Sequence, residues 1–187
     1  MLLMRALVTI ALSVSLLLLA SPGAAIAGGL IDELRLGGLA QNIEPTGRGH
    51  EHGADVNAEV LFAPAFAPTG DAVKDVLFGF RPHIGATYNF AGTTDKIYVG
   101  LTWDAPLNHG FFLEGSFGLA VHDGGLAEDN RAQYGCRVNF RESASLGYDL
   151  DANWRVMLMV DHMSNADLCL QNRGLTNAGV RLGYRLD

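Results

Sequence analysis

A histidine, a serine and an asparagine lie close together near the end of the chain, in the stretch VMLMVDHMSNADLC of residues 156–169. His162 and Ser164 are two residues apart and directly follow a strongly apolar run. A serine hydroxyl becomes a nucleophile when a histidine removes its proton, and amide donors stabilise the oxyanion that forms. Asn165 and the backbone amides beyond it are candidates for such donors. These residue types suit acyl transfer, provided that one element presents both side chains on one face.

The run before His162 predicts a β-strand over 155–164, because its residues alternate between apolar and mixed positions. Leu158 and Val160 occupy the same face as His162 and Ser164. Residues i and i+2 of a strand lie about 6.6 Å apart on one face, so an imidazole can reach the neighbouring hydroxyl. An isolated H-x-S is a weak signal, and the same two residues also suit the polar end of a strand.

The same period of two recurs along the chain. In 137–150 the even positions are almost wholly apolar and the odd positions are polar or small, with Glu142 as the charged exception on the apolar face. Similar segments lie at 31–41, 53–62, 78–90, 97–104, 111–121, 155–164 and 178–187. The pattern therefore predicts an all-β chain with eight strands of about ten residues.

The composition of the two strand faces indicates what each face contacts. One face is rich in Phe, Leu, Val, Tyr and Trp, and the other carries charges of both signs. The charged positions are Glu33, Arg35, Asp55, Glu59, Arg81, His83, Asp104, Glu114, Arg137, Arg141, Asp161, Arg181 and Arg185. A soluble sandwich would turn these charges to water, whereas a membrane barrel pairs them inside. We expect an eight-stranded antiparallel transmembrane β-barrel with a filled polar interior and no open pore.

The first residues have the features of a secretory signal. Arg5 precedes a leucine-rich core, and Ala25-Ile26-Ala27 suits a cleavage site before Gly28. We expect a signal peptide at 1–27 and one barrel domain at 28–187, with a single membrane anchor as the alternative. The net charge of −7, without any run of Lys or Arg, argues against a nucleic-acid partner.

Two cysteines, Cys136 and Cys169, predict one disulfide in an exported chain. In the barrel topology both lie on the same side of the membrane, at the end where strand seven finishes. The sequence His50-Glu51-His52 is the nearest candidate for a metal site. Its Gly-rich, polar surroundings favour a solvated loop, so we predict no metal.

The stretch HMSNADLCLQNRGLTNAGVRLGYR resembles the signature of the PagL-type lipid A 3-O-deacylases, which are eight-stranded outer-membrane barrels. The resemblance is strongest over 137–186, in F-R-E, H-x-S-N-A, N-x-G-L and G-V-R-x-G-Y-R, and LAVHDGG at 119–125 adds a weaker match. It implies that His162 is the general base and Ser164 the nucleophile. The implied substrate is the ester-linked acyl chain at the 3-position of lipid A, and no cofactor is implied.

The resemblance implies an outer-membrane esterase with lipopolysaccharide as substrate and membrane lipid as its surroundings. If the N-terminus starts in the periplasm, strand seven runs outward, and the active site then faces the outer leaflet. The alternative is a non-catalytic barrel that binds lipopolysaccharide or has a structural role. The sequence leaves open whether the chain forms a homodimer.

One residue departs from the family pattern. The family has a glutamate twelve residues after the serine, where this chain has Thr176. The adjacent Asn177 is a candidate for orienting the imidazole without a charge. A second candidate follows from the hairpin: if Leu150 lies opposite Trp154, Glu142 lies directly across from His162. Opposed Cβ atoms are about 4.5–5.5 Å apart, so we predict that Glu142 accepts the imidazole N–H as the acid of a triad.

Overall fold

The computed structural model describes residues 29–43, 51–64, 66–67, 69–128 and 131–186. The predicted signal peptide at 1–27 and its cleavage site lie outside these residues. The strands are β1 Ile31–Ala40, β2 Ala54–Phe62, β3 Arg81–Asn89, β4 Lys96–Pro106, β5 Phe111–His122, β6 Val138–Asp149, β7 Trp154–Ser164 and β8 Leu175–Arg185. One helix, α1 Ala72–Phe78, lies between β2 and β3, and a short 3-10 turn, Asn108–Gly110, joins β4 to β5.

The eight strands form a closed antiparallel barrel. Each strand pairs with the next along the chain, and β8 pairs with β1 to close the ring, for example at Leu36 and Leu182. The predicted fold class and strand number are therefore confirmed. Closure leaves no strand edge unpaired, which is what a sheet inside lipid requires.

Two predicted strand boundaries are wrong. β3 begins at Arg81 rather than at residue 78, because Phe78 ends α1 and Gly79 caps it. β8 begins at Leu175 rather than at residue 178, since the ladder with β7 continues to Leu175 and Met163. The apolar spacing of 78–84 fits a strand as well as a helix end, and short segments of this kind are ambiguous by period.

The barrel interior is filled by charged and polar side chains that pair with one another. Arg35 is fully buried and donates to Glu33 at 2.7 Å, to Glu59 at 3.1 Å and to Glu114 at 2.9 Å. Nearer the other end, Asp161 accepts hydrogen bonds from Arg141 and Lys96. Buried charges are tolerated when they are paired in this way. The predicted filled polar interior is confirmed.

The outer wall is apolar and exposed. Large side chains that project from it include Ile84, Val99, Leu113, Phe117, Leu119, Leu146, Leu158, Val160, Val180 and Leu182. A soluble monomer rarely exposes a continuous apolar belt of this extent, whereas lipid is its natural solvent. Among the described residues, no helix has the length and apolarity needed to cross a membrane.

The connections divide between two ends of the barrel. One end, called the site end here, carries 41–53, 90–95, 123–137 and 165–174, and the opposite end carries 63–80, 107–110 and 150–153. β6 starts and β7 finishes at the site end, so His162 and Ser164 lie there.

Candidate active site

The outward face of β7 ends in His162 and Ser164, both of which are half-buried. Leu158 and Val160 lie below them on the same face and are exposed toward lipid. The alternation predicted from the sequence therefore holds to the end of the strand. It places a potential base and a potential nucleophile on the outer wall of the barrel rather than in its lumen.

The imidazole of His162 is held from β8. Its Nδ1 is 2.8 Å from the hydroxyl oxygen of Thr176, which lies directly across from His162 in the β7–β8 ladder. With Nδ1 engaged by this hydroxyl, Nε2 is the nitrogen left for a second partner. Thr176 thus occupies the orienting position beside the imidazole.

Gly174 gives the imidazole its room. A Cβ atom built on Gly174 would lie 2.6 Å from Cε1 and 3.1 Å from Nε2 of His162, so the ring fills the space of the missing side chain. Continuing the β7–β8 register by one residue beyond Met163 and Leu175 puts Gly174 opposite Ser164. The ring therefore leans from the level of Thr176 toward the level of Ser164, with Cε1 and Nε2 nearest to Gly174.

Glu142 has the predicted register but not the predicted hydrogen bond. It lies directly across from His162 in the β6–β7 ladder and is exposed. Among the described residues, however, no hydrogen bond or ion pair joins the two, because Nδ1 bonds to Thr176 on the other neighbouring strand. The absence of a side chain at Gly174 explains the choice, since it opens the β8 side of the ring.

Asn165 ties two loops together behind the site. It is buried, and its Nδ2 donates to the carbonyl of Tyr134 at 2.7 Å and to that of Gln171 at 2.6 Å. Its backbone N–H donates to the side chain of Asn172 at 2.9 Å. The side-chain amide of Asn165 and its backbone N–H are therefore used within the protein. The backbone amides beyond Asn165 stay the predicted donors for an oxyanion.

The predicted disulfide between Cys136 and Cys169 is present, with Cα atoms 5.9 Å apart. It joins the 123–137 loop to the 165–174 loop, at the end of the barrel where the sequence placed both cysteines. The two loops that Asn165 connects by hydrogen bonds are thus also connected covalently.

Asn177 does not orient the imidazole, and that prediction is wrong. Its side chain is fully buried inside the barrel, where it accepts from the backbone N–H of Asn42 at 3.1 Å and donates to Asp55 at 3.3 Å. Alternation explains the error, because a residue adjacent to the outward-facing Thr176 points to the opposite face.

The sequence reading missed two residues of this site. It treated Thr176 only as the place of a missing glutamate, and it gave Gly174 no role. The available signal was the N-x-G-L motif, whose glycine stands two residues before Thr176. A glycine and a β-branched polar residue with this spacing share one strand face, which is the face of His162.

Below the site, the outer wall forms a shallow apolar groove. It is lined by Ala144, Leu146, Leu158, Val160, Ala178 and Val180, from three adjacent strands. The two alanines make the groove, since larger side chains surround them. An alkyl chain lying along the wall would contact apolar side chains there, directly below His162.

The histidine-rich stretch near residue 51 offers no metal centre among the described residues, where no group of three or more His, Cys, Asp or Glu is arranged to hold an ion. His50 lies outside those residues. Glu51 is buried, and burial raises the pKa of its carboxyl group.

These features define a class: an integral β-barrel with a charged, filled interior and a polar site on its lipid-facing wall. Comparison with known proteins finds one similar family. Residues 97–185 match the family model of lipid A 3-O-deacylase (PagL). The match spans just under half of the chain. Together with the closed eight-stranded barrel it indicates an outer-membrane protein, and the resemblance predicted from the sequence is confirmed.

Solved structures agree on the fold. The crystal structure of the outer membrane enzyme PagL is similar at a TM-score of 0.59, with 15% identity over 81% of this chain and 97% of that one. Neisserial surface protein A (NspA) is similar at 0.56, with 8% identity over 82% and 96%. A designed transmembrane β-barrel is similar at 0.52, with 11% identity over 84% and 97%. None of the curated proteins matches the sequence.

Proposed function

We propose that this chain is an outer-membrane esterase that hydrolyses the 3-O-linked acyl chain of lipid A. One observation carries the proposal: on the lipid-facing wall, the hydroxyl of Thr176 holds Nδ1 of His162 at 2.8 Å, and the ring leans over Gly174 toward the level of Ser164. We expect this hydrogen bond to contribute little to the stability of the barrel. Its proposed role is to orient His162 as a general base for the hydroxyl of Ser164.

The chemistry proceeds in two acyl-transfer steps. Thr176 accepts the Nδ1–H of His162, which fixes the tautomer with a free lone pair on Nε2. Nε2 removes the proton of Ser164 as its oxygen attacks the acyl carbonyl carbon. The sugar 3-oxygen then leaves with that proton. Water, deprotonated by the same Nε2, attacks the acyl-serine, releases the fatty acid and returns the proton to Ser164.

A threonine partner supplies orientation without charge. A carboxylate at this position would also stabilise the imidazolium that forms during attack, and a hydroxyl does so only weakly. Glu142, across from His162 on β6, is close enough to favour the imidazolium through space, with opposed Cβ atoms about 4.5–5.5 Å apart. We therefore expect a slow but real esterase.

The substrate fits the surroundings of the site. A membrane lipid diffuses within the leaflet and reaches the barrel from the side. A site on the outer wall can therefore bind its ester group while the lipid stays in the membrane. The groove that includes Ala144, Leu158 and Ala178 would hold the alkyl chain. We place the site end at the outer leaflet, where lipid A resides.

A non-catalytic barrel that binds lipopolysaccharide is the second candidate. Thr176 favours it, because the family pattern has an acid at that position. Under this alternative His162 and Ser164 contribute only polar contacts at the head-group level.

Analysis of lipid A distinguishes the two candidates. The chain is expressed in a bacterium whose outer-membrane lipid A retains its 3-O-acyl chains. The mass of the extracted lipid A is then measured by mass spectrometry. We expect loss of one ester-linked acyl chain with the parent protein. We expect unmodified lipid A with Ser164→Ala, although this variant still migrates as a heat-modifiable folded barrel. Equal deacylation by the parent and by Ser164→Ala would refute the serine mechanism, and no deacylation by either would favour the binding barrel.

A further inference from the structure

The connection between β2 and β3 is much longer than the other connections at the same end of the barrel. The other two connections at the same end, 107–110 and 150–153, are tight turns, whereas 63–80 is several times longer and contains α1. A hairpin between adjacent antiparallel strands needs only a few residues. The additional length therefore serves something other than joining β2 to β3.

The sequence builds a defined helix start in this connection. The carboxylate of Asp71 accepts from the backbone N–H groups of Val73 at 3.1 Å and Lys74 at 3.2 Å, as an N-cap does. The carboxylate of Asp75 accepts from the hydroxyl of Thr69 at 2.7 Å. This hydroxyl and the backbone N–H of Thr69 lower the pKa of Asp75, so the side of α1 that carries Asp75 stays charged at neutral pH.

The helix lies against the outside of the barrel wall and not below the lumen. Nε1 of Trp103, an outward-facing residue of β4, donates to the backbone carbonyl of Leu77 at 3.3 Å. The rings of Phe80 and Trp103 have centroids 6.1 Å apart. Trp103 stands three residues before the end of β4, about 10 Å along the strand. Tryptophan at this height is typical of a membrane–water interface.

One side of α1 is apolar and uncovered. Val73 and Leu77 are four residues apart on one helix face and are 69% and 59% exposed. Phe66 and Phe78 pack edge to face beside them, with centroids 6.3 Å apart, and are also exposed. Asp75, two residues from each of Val73 and Leu77, lies on the opposite face.

We propose that α1 is an interfacial helix that inserts its Val73–Leu77 face into the phospholipid leaflet at the end opposite the site. The apolar face continues the lipid-facing belt of the wall at Trp103, so the same solvent covers both. Asp75 then faces water, and Lys74 lies at the height of lipid phosphates, as is usual for amphipathic helices in the interface plane. The assignment of this leaflet as the periplasmic one rests on the proposed orientation of the site, and the insertion of α1 does not.

Nitroxide labels test the proposal in the folded full-length protein in phospholipid vesicles. Both native cysteines are in the disulfide, so Val73→Cys, Leu77→Cys and the control Asp75→Cys each offer one free thiol. We expect the labels at 73 and 77 to be several-fold more accessible to lipid-soluble oxygen than to a water-soluble nickel chelate. The label at 75 should show the reverse preference. If the labels at 73 and 77 are as accessible to nickel as the label at 75, the helix lies in water and the proposal is wrong.

A second measurement does not depend on labelling. Trp154→Phe leaves Trp103 as the single tryptophan of the chain. In vesicles of brominated phospholipid, bromines near the head-group end of the acyl chain should quench Trp103 more strongly than bromines near the methyl end. Absence of quenching by either lipid would overturn the proposed depth. Neither result depends on deacylation, which tests the other end of the barrel.

Discussion

At the scale of single residues, His162 has two neighbouring strands from which to take a partner. Glu142 on β6 and Thr176 on β8 are both directly opposite it. The ring turns to Thr176 because Gly174 has no side chain on that side. A glycine therefore decides which residue orients His162, the proposed base, although it contributes no reactive group itself.

Gly174→Ala should inactivate the site without unfolding the barrel. Its new Cβ atom would meet the imidazole at 2.6 Å and displace the ring from its position beside Thr176. A displacement of about 1 Å lowers rates by roughly 10²-fold, which we expect for the rate of lipid A deacylation. Gly115→Ala is the control, since a Cβ atom there meets nothing within 4 Å on the same outer wall. Equal activity of the two variants would show that the ring position in the structure is not the working one.

Substitutions at Thr176 and Glu142 test which residue assists the imidazole. Thr176→Val removes the hydrogen bond and should slow deacylation by roughly 10–100-fold, whereas Thr176→Glu should accelerate it, because a carboxylate stabilises the imidazolium. Glu142→Gln should have a smaller effect than Thr176→Val. The rates are compared on purified lipid A in detergent, with folding checked by heat modifiability. A larger loss with Glu142→Gln would assign the acid to β6, as the sequence alone suggested.

At the scale of elements, the chain leaves β7 immediately after Ser164 and enters a loop that is fixed in two ways. Asn165 donates to carbonyls in both loops, at Tyr134 and Gln171, and the Cys136–Cys169 disulfide joins the same two loops. Ser164, the proposed nucleophile, therefore lies at the border between a regular strand and an anchored loop, which limits the movement of its backbone.

Loss of the disulfide should destabilise the 165–174 loop and the end of β7 more than the rest of the barrel. The bridge joins cysteines 33 positions apart, and removing it with Cys136→Ser and Cys169→Ser together should cost about 2–4 kcal/mol in the free energy of unfolding. Titration of the unreduced, folded parent should find no free thiol. Urea unfolding of the parent and of the double variant measures the difference, and proteolysis within 165–174 should become faster. An unchanged midpoint with unchanged proteolysis would show that Asn165 and the hydrogen bonds suffice.

At the scale of the whole molecule, polarity is the reverse of that in a soluble protein. The lumen holds arginine paired with several carboxylates, and the wall presents leucine, valine and phenylalanine. Arg35 alone contacts Glu33, Glu59 and Glu114, which come from three different strands. This network joins opposite sides of the barrel through its interior.

Arg35→Met should lower the free energy of unfolding by about 3–5 kcal/mol, because it removes the buried cation that Glu33, Glu59 and Glu114 share. The variant and the parent are compared by urea titration in detergent or vesicles. Lys74→Met is the control, since that lysine is exposed and its ion pair with Asp71 is worth about 0–1 kcal/mol. An Arg35→Met barrel as stable as the control would mean that Glu33, Glu59 and Glu114 are satisfied by the remaining cations.

Several features of this protein follow from local sequence rules. The period of two gives the strands and their faces, and it places His162 and Ser164 on the outer wall. The tight 150–153 turn fixes the β6–β7 register, so the pairing of Glu142 with His162 was predictable. The two cysteines of an exported chain predict their disulfide.

The tertiary structure alone decided the partner of the base. A loop of 165–174 separates β7 from β8, and a loop of this length leaves the register open, so strand periodicity alone could not show that Thr176 and Gly174 flank His162. The side-chain rotamer of His162 was also open, because an imidazole can turn toward either neighbouring strand. Packing around Gly174 determines which strand it turns to. Likewise, α1 was hidden in a segment whose apolar spacing fits a strand, and contact with Trp103 on the wall locates it. Local periodicity determines faces, whereas contacts across long loops depend on how the barrel closes.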